Sequence, residues 1–198
     1  TMEDIQGIAD LAFKVVDRYY RVPKEKRGKG LNVTVSASSF VPKPFTPFQW
    51  EPQDSIETLI EKQRYLRKAI KRKQITFNWH EPYVSYMEAA FARGDRRLCD
   101  VLIAAWKLGC KFDGWDQYFK FDAWMQAFKE AGVDPDFYTI RRREMDEILP
   151  WDHIDVGVNK KYLRSEYKKS LKAELTRDCR TACTGCGINL LQEGGVCK

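Results

Sequence analysis

The apolar positions Ile5, Ile8, Ala12, Val15, Val16 and Tyr19 recur at helical spacing and predict a helix over residues 3–20. Residues 31–37 (Leu-Asn-Val-Thr-Val-Ser-Ala) alternate apolar and polar with β-branched side chains, the pattern of a strand. Residues 41–52 carry four prolines, each lacking an N–H and restraining its predecessor, which predicts an extended loop. Asp54 with Glu57 has capping-box spacing, and Ile56, Leu59, Ile60, Leu66 and Ile70 form the stripe of a long helix. Residues 74–79 (Gln-Ile-Thr-Phe-Asn-Trp) then read as a second strand. Strand, crossover helix and strand make a βαβ unit, so the two strands are predicted to be parallel.

After that the pattern is helical. Helices are predicted over 85–93, over 96–108 stopped by Gly109, over 122–131 closed by Gly132, and over 136–148 ended by Pro150. The last, 162–175, repeats Leu163, Tyr167, Leu171 and Leu175 at four-residue steps. No internal repeat or low-complexity tract is visible. Parallel sheets normally have several members and both faces covered. The expected fold class is therefore α/β, predominantly helical: the end of a larger α/β unit with a helical extension. The start at Thr1 instead of Met points the same way.

Composition adds limits. The 198 residues are 43% hydrophobic and 31% charged, ordinary for a globular protein with a core. No apolar run approaches the roughly 18 residues that span a bilayer, and no secretory signal opens the chain, so no membrane partner is expected. The net charge of +6 is concentrated: residues 14–30 and 160–177 each hold seven basic and two acidic side chains, leaving an acidic remainder. Such segments attract polyanions, which makes RNA a candidate partner; the plainer reading is solvated helix faces.

Four of the six cysteines fall in the last twenty residues: Cys179, Cys183, Cys186 and Cys197. This clustering points to a metal in a reducing compartment, hence to the cytoplasm. Cys-x3-Cys-x2-Cys can converge on one soft centre only through a tight turn, which Gly185 and Gly187 permit. Arg177, Arg180 and Lys198 would favour the thiolates. Four thiolates suit an iron–sulfur cluster or, alternatively, zinc. Cys99 and Cys110 are expected to be buried and inert. Ser36, Ser38 and Ser39 close the first strand, where loops of parallel α/β folds build ligand sites; turn chemistry is the alternative. Asn78, His80 and Glu81 hold the same place after the second strand, and His153 is the other histidine. Gly28-Lys-Gly30 precedes its strand and so is no dinucleotide fingerprint. Arg141-Arg-Arg143 reads as solvated surface, and the aromatic residues of 40–151 as packing.

Several segments carry a resemblance: Val35-Ser-Ala-Ser-Ser-Phe-Val-Pro-Lys-Pro-Phe-Thr-Pro-Phe-Gln-Trp50, Arg93-Gly-Asp-Arg-Arg-Leu98, Phe112-Asp-Gly-Trp115, Leu149-Pro-Trp-Asp-His-Ile154, and the closing Asp178-Cys-Arg180 with Cys183-Thr-Gly-Cys-Gly187. In order, they resemble the C-terminal portion of radical SAM proteins of the cobalamin-binding-domain group. The resemblance implies that residues 1–80 end a radical SAM barrel, 81–158 form a helical extension, and 159–198 a basic helix with a Cys-rich metal-binding tail. Members bind a four-iron cluster through an upstream Cys-x3-Cys-x2-Cys motif and cleave S-adenosylmethionine; that motif and the cobalamin-type domain are not in this chain. Gly185 stands where that motif has an aromatic residue, so the trio at 179–186 reads as a separate metal site.

The function so implied is that of a C-terminal fragment of a cytoplasmic radical SAM iron–sulfur enzyme, inactive alone. Its partner is the upstream part of the same polypeptide, Ser36 and Ser38 line the S-adenosylmethionine or substrate cavity, and the second cluster belongs to the parent. The alternative is a nucleic-acid-binding module with a structural zinc site.

Overall fold

The computed structural model describes residues 1–190. Among these it forms α1 (Met2–Arg21), β1 (Val33–Ala37), α2 (Ile56–Ala69), β2 (Ile75–Trp79), α3 (Pro82–Ala92), α4 (Leu98–Lys107), α5 (Phe121–Glu130) and α6 (Lys160–Ser170). The protein is α/β and mostly helical, with β1 and β2 in a parallel two-stranded sheet. No helix among the described residues is long and apolar enough to cross a membrane. Two compact units emerge. One comprises Thr1–Phe40 and Asp54–Tyr86, the other Val41–Gln53 and Met87–Lys198.

In the first unit, Thr1 caps α1 in a reciprocal capping box with Asp4. The helix buries Ala9, Ala12 and Val16, small residues that let it lie close to the sheet. Ala12, Val16 and Ile75 form a core, with Val33, Val35 and Ile70 packed on it. α1 and α2 are further tied by the Tyr65 hydroxyl donating to Gln6 Oε1 at 2.7 Å and by the Arg72–Asp17 ion pair. Both helices thus sit on the odd-numbered face of the sheet. The even-numbered face, Thr34 and Ser36 in register with Thr76 and Asn78, is exposed. The cap of α2 is Ser55, whose hydroxyl accepts from the Thr58 N–H at 3.2 Å. Asp54, expected there from the sequence, instead pairs with Lys62.

In the second unit, α4 buries Leu98, Val101 and Ala105, and α5 buries Trp124, Ala127 and Phe128. Phe91 meets Trp124 edge-on at 5.4 Å. Gly94 is required between α3 and α4, because a Cβ there would lie 2.0 Å from Leu98 Cδ1 and 2.8 Å from the Ala90 carbonyl. A second core joins Trp50, Leu149, Trp151, Leu163 and Tyr167.

Four expectations fail here. The proline-rich segment is not extended: Gln49 N–H bonds to Thr46 O at 3.1 Å and Glu51 N–H to Phe48 O at 3.0 Å, folding it into turns that bury Trp50. Residues 136–148 form no α-helix, only a short 3-10 turn at Pro135–Phe137, because their polar groups are claimed by distant partners described below. The final helix ends at Ser170, where Ala173 adopts φ 54°, and Leu175 is 96% exposed. Cys99 is exposed on α4, whereas Cys110 is buried as expected and its thiol pKa is pushed up by that burial.

Candidate functional site

Beyond the C-terminal end of β1 lies a hollow of about 200 Å³, within the first unit. Ile5 and Ile8 of α1 and Leu59 and Leu66 of α2 wall it, Phe77 of β2 contributes an aromatic face, and Ser38 and Ser39 border it. The Ser39 hydroxyl is shielded from solvent and has no hydrogen-bond partner among the described residues. The hollow is mainly apolar with a polar rim, suited to a partly apolar ligand. Ser36 does not wall it. Ser36, within β1, stands on the exposed sheet face opposite Asn78, whereas Ser38 follows the end of the strand at Ala37, so the two serines expected at one cavity are separated. His80 is exposed; its N–H reaches the Ala37 carbonyl at 3.4 Å and its carbonyl accepts from Gln63 Nε2 at 2.8 Å.

The cysteine loop belongs to the second unit. Cys179 and Cys183 are exposed and Cys186 is half-buried, all as free thiols; Cys197 lies outside the described residues. Asp178 accepts from the Arg180 N–H at 2.8 Å, and Thr181 N–H bonds to Asp178 O at 2.9 Å, turning the chain tightly at Cys179. Gly185 and Gly187 both take positive φ, 72° and 101°. The second half of the motif is held by Asn159. This N-cap of α6 accepts from the Tyr162 N–H through Oδ1 at 2.7 Å. Its Nδ2 donates to the carbonyls of Gly185 and Cys186, each at 3.0 Å, and its main-chain N–H donates to Cys186 at 2.9 Å. A Cβ at Gly187 would lie 2.8 Å from the Gly157 carbonyl. Thiols are donors of the soft type, and both glycines take the left-handed backbone conformation that glycine adopts freely. As folded, however, the described residues contain no group of three or more His, Cys, Asp or Glu side chains gathered to hold a metal ion.

The most unusual chemistry of the second unit was not legible in the sequence. Arg93 and Arg143 are 0% and 2% exposed, although the basic triplet at 141–143 reads as surface. Arg93 Nη1 donates to the Thr139 carbonyl at 3.0 Å, and Arg143 Nη2 to the Arg93 carbonyl at 2.8 Å. Neither has a carboxylate partner among the described residues. The Arg143 guanidinium lies over the Trp151 ring, 5.0 Å from its centroid. Burial lowers both pKa values to about 10; for Arg93 the neighbouring Arg143 charge adds to this. At the edge of this centre, Arg97 donates to Asp95, which also accepts from the Tyr138 hydroxyl at 3.1 Å. These bonds, the one from Arg97 first, lower the Asp95 pKa to about 2.

The neighbouring residues of the triplet are also paired. Arg142 grips Glu51 with both Nη atoms, at 2.6 and 2.7 Å, and Arg141 grips Glu147 at 2.7 and 3.0 Å. Tyr167 donates its hydroxyl to Glu51. Trp151 Nε1 donates to Gln49 Oε1 at 2.7 Å. These groups tie the proline-rich turns to residues 139–151 and α6. They are structural braces, and the only hint in the sequence is that arginine recurs at 93, 96, 97 and 141–143. His153 borders a separate open hollow of about 420 Å³ beside the Lys160–Asp152 ion pair.

Comparison with known proteins returns no matching family model, no matching curated protein and no matching solved structure.

Proposed function

We propose that this chain is the C-terminal portion of a radical SAM iron–sulfur enzyme, in which the first unit is a segment of the barrel wall. One observation carries the reading. α1 and α2 share one face of a parallel strand pair, and the opposite face is polar and bare. A doubly wound sheet would place helices on both faces, whereas a barrel keeps its helices outside and turns the other face inward. Thr34, Ser36, Thr76 and Asn78 would then line the lumen where S-adenosylmethionine and substrate react. Ser38, in the hollow on the helix side, supports the wall and does not face the lumen. The chain alone is inactive, because the cluster that cleaves S-adenosylmethionine is bound by the upstream part of the polypeptide.

In this reading Cys179, Cys183 and Cys186, with Cys197, hold a further iron–sulfur cluster, the thiolates being drawn together around it while Asn159 keeps the Cys186 main chain in place. The nucleic-acid reading has less support. Of the basic residues in 160–177, Lys160, Arg164, Lys169 and Lys172 are engaged within the chain, by Asp152, the Met145 carbonyl, Glu166 and Glu174.

Two measurements test the proposal. Anaerobic reconstitution with ferrous iron and sulfide is expected to give brown protein holding both elements, and Cys183→Ala to lose them; protein that retains no metal refutes the cluster. Ser36→Cys and Asn78→Cys are expected to be alkylated rapidly in this chain and slowly when the upstream polypeptide is joined to it. Equal rates refute the barrel.

A further inference from the structure

We propose that the outer face of α4 is a two-fold interface between two copies of this chain. α4 has two apolar faces. Leu98, Val101 and Ala105 are buried within its unit, while Leu102, Ile103 and Trp106 are 48%, 53% and 64% exposed. After the turn at Gly109, the connection to α5 adds Phe112, Trp115 and Tyr118, which are 72%, 65% and 48% exposed. Phe112 is held at φ 62°, with its ring 6.1 Å from that of Tyr118. An aromatic side chain carries about 150–250 Å². Four of them at such exposure, with two aliphatic neighbours, bring the helix and its turn to the scale of the ~800 Å² that each partner contributes to a stable interface. That exceeds the patch of roughly 300–600 Å² that a monomer ordinarily leaves.

The charges flanking the stripe identify the occupant. Asp100 and Lys107 are exposed, two helical turns apart on the same flank, and neither is in an ion pair among the described residues. An antiparallel pairing of two α4 helices about a two-fold axis near Ile103 sets Asp100 opposite Lys107 of the second copy, twice. The same register brings Leu102 to within one residue's rise, about 1.5 Å, of the level of Trp106. One alignment therefore satisfies both the apolar and the charged positions, as an isologous interface demands.

Sedimentation velocity on the full chain tests this. The expected species is a dimer. Asp100→Lys and Lys107→Asp each juxtapose like charges at two places and are expected to weaken dimerisation by roughly tenfold. The double reversal is expected to restore it, and Ile103→Glu to give a monomer with an unchanged helical circular dichroism signal. A monomeric wild type, a double reversal as weak as the single ones, or association that persists in Ile103→Glu (which would put it at the open sheet edges) each overturn the proposal.

Discussion

The two units bury different things. Of the six polar side chains buried among the described residues, Gln49, Gln53, Arg93, Thr139 and Arg143 belong to the second unit and Ser85 alone to the first. The first unit satisfies its main chain through two helices and a strand ladder, so its interior needs few polar side chains. The second runs through turns at 41–53 and 138–159, where the main chain has few regular partners. Side chains take their place. Gln49 Oε1 accepts from the Phe45 N–H at 3.1 Å, Asp152 from the Leu149 N–H at 2.8 Å, and Lys160 donates to the Glu147 carbonyl at 3.0 Å. Buried polar side chains are what an irregular backbone requires, since an unpaired buried amide costs about as much as a lost hydrogen bond.

The contrast is testable, most sharply at Trp50. It is 1% exposed, at the centre of the core that the turns enclose. Trp50→Ala is expected to lower stability by about 3–5 kcal/mol in chemical denaturation. A cost as small as that of a surface change would show that the turns do not depend on that core. Next comes Gly94→Ala, which drives a methyl group into Leu98 and the Ala90 carbonyl. A loss of about 1–3 kcal/mol is expected, with the midpoint shifted and the denaturant slope retained.

A third pair of variants compares one local role in both units. Ser55 caps α2 and does little else, so Ser55→Ala should cost about 1 kcal/mol. Asn159 caps α6 and also holds the Gly185 and Cys186 carbonyls, so Asn159→Ala should cost more and should speed alkylation of Cys186. Equal costs would show that the C-terminal ties add nothing. The smallest effect is with pH. The folded-state pKa of Asp95, about 2, lies below its ordinary 3.8. The stabilisation is therefore complete above pH 4 and is lost as pH falls towards 2. With Arg97 largely exposed, this amounts to on the order of 1 kcal/mol. Thermal melts of the wild type and Asp95→Asn should converge over that window.

The legibility of the two units differs for the same reason. Residues 3–20 are read as a helix and α1 spans Met2–Arg21; 122–131 is read as a helix and α5 spans Phe121–Glu130. Both have an apolar stripe against a neighbour, and Gly132 marks the end of the second in the sequence. The stretch 136–148 is also read as a helix, yet Thr139, Arg142 and Arg143 are engaged by Gln53, Arg93, Glu51 and the Trp50 carbonyl, and these partners lie outside any local window. At the candidate site, the cysteine spacing and its glycines could be read directly, whereas the Asn159 clasp joins residues 26 and 27 positions apart and could not. Ser36 and Ser38 look equivalent in sequence. Only the position of α1 and α2 tells the bare face from the walled hollow.

By itself, then, the sequence determined where periodic segments become helices and strands, that the two strands run parallel, and which residues carry thiol chemistry. These follow from interactions within a few residues, or from the handedness of a single crossover. Tertiary structure alone decided that two arginines are interior, that a proline-rich run folds into turns around a tryptophan, and that one sheet face is left uncovered. Each depends on groups far apart in the chain whose burial costs or gains arise only once they meet.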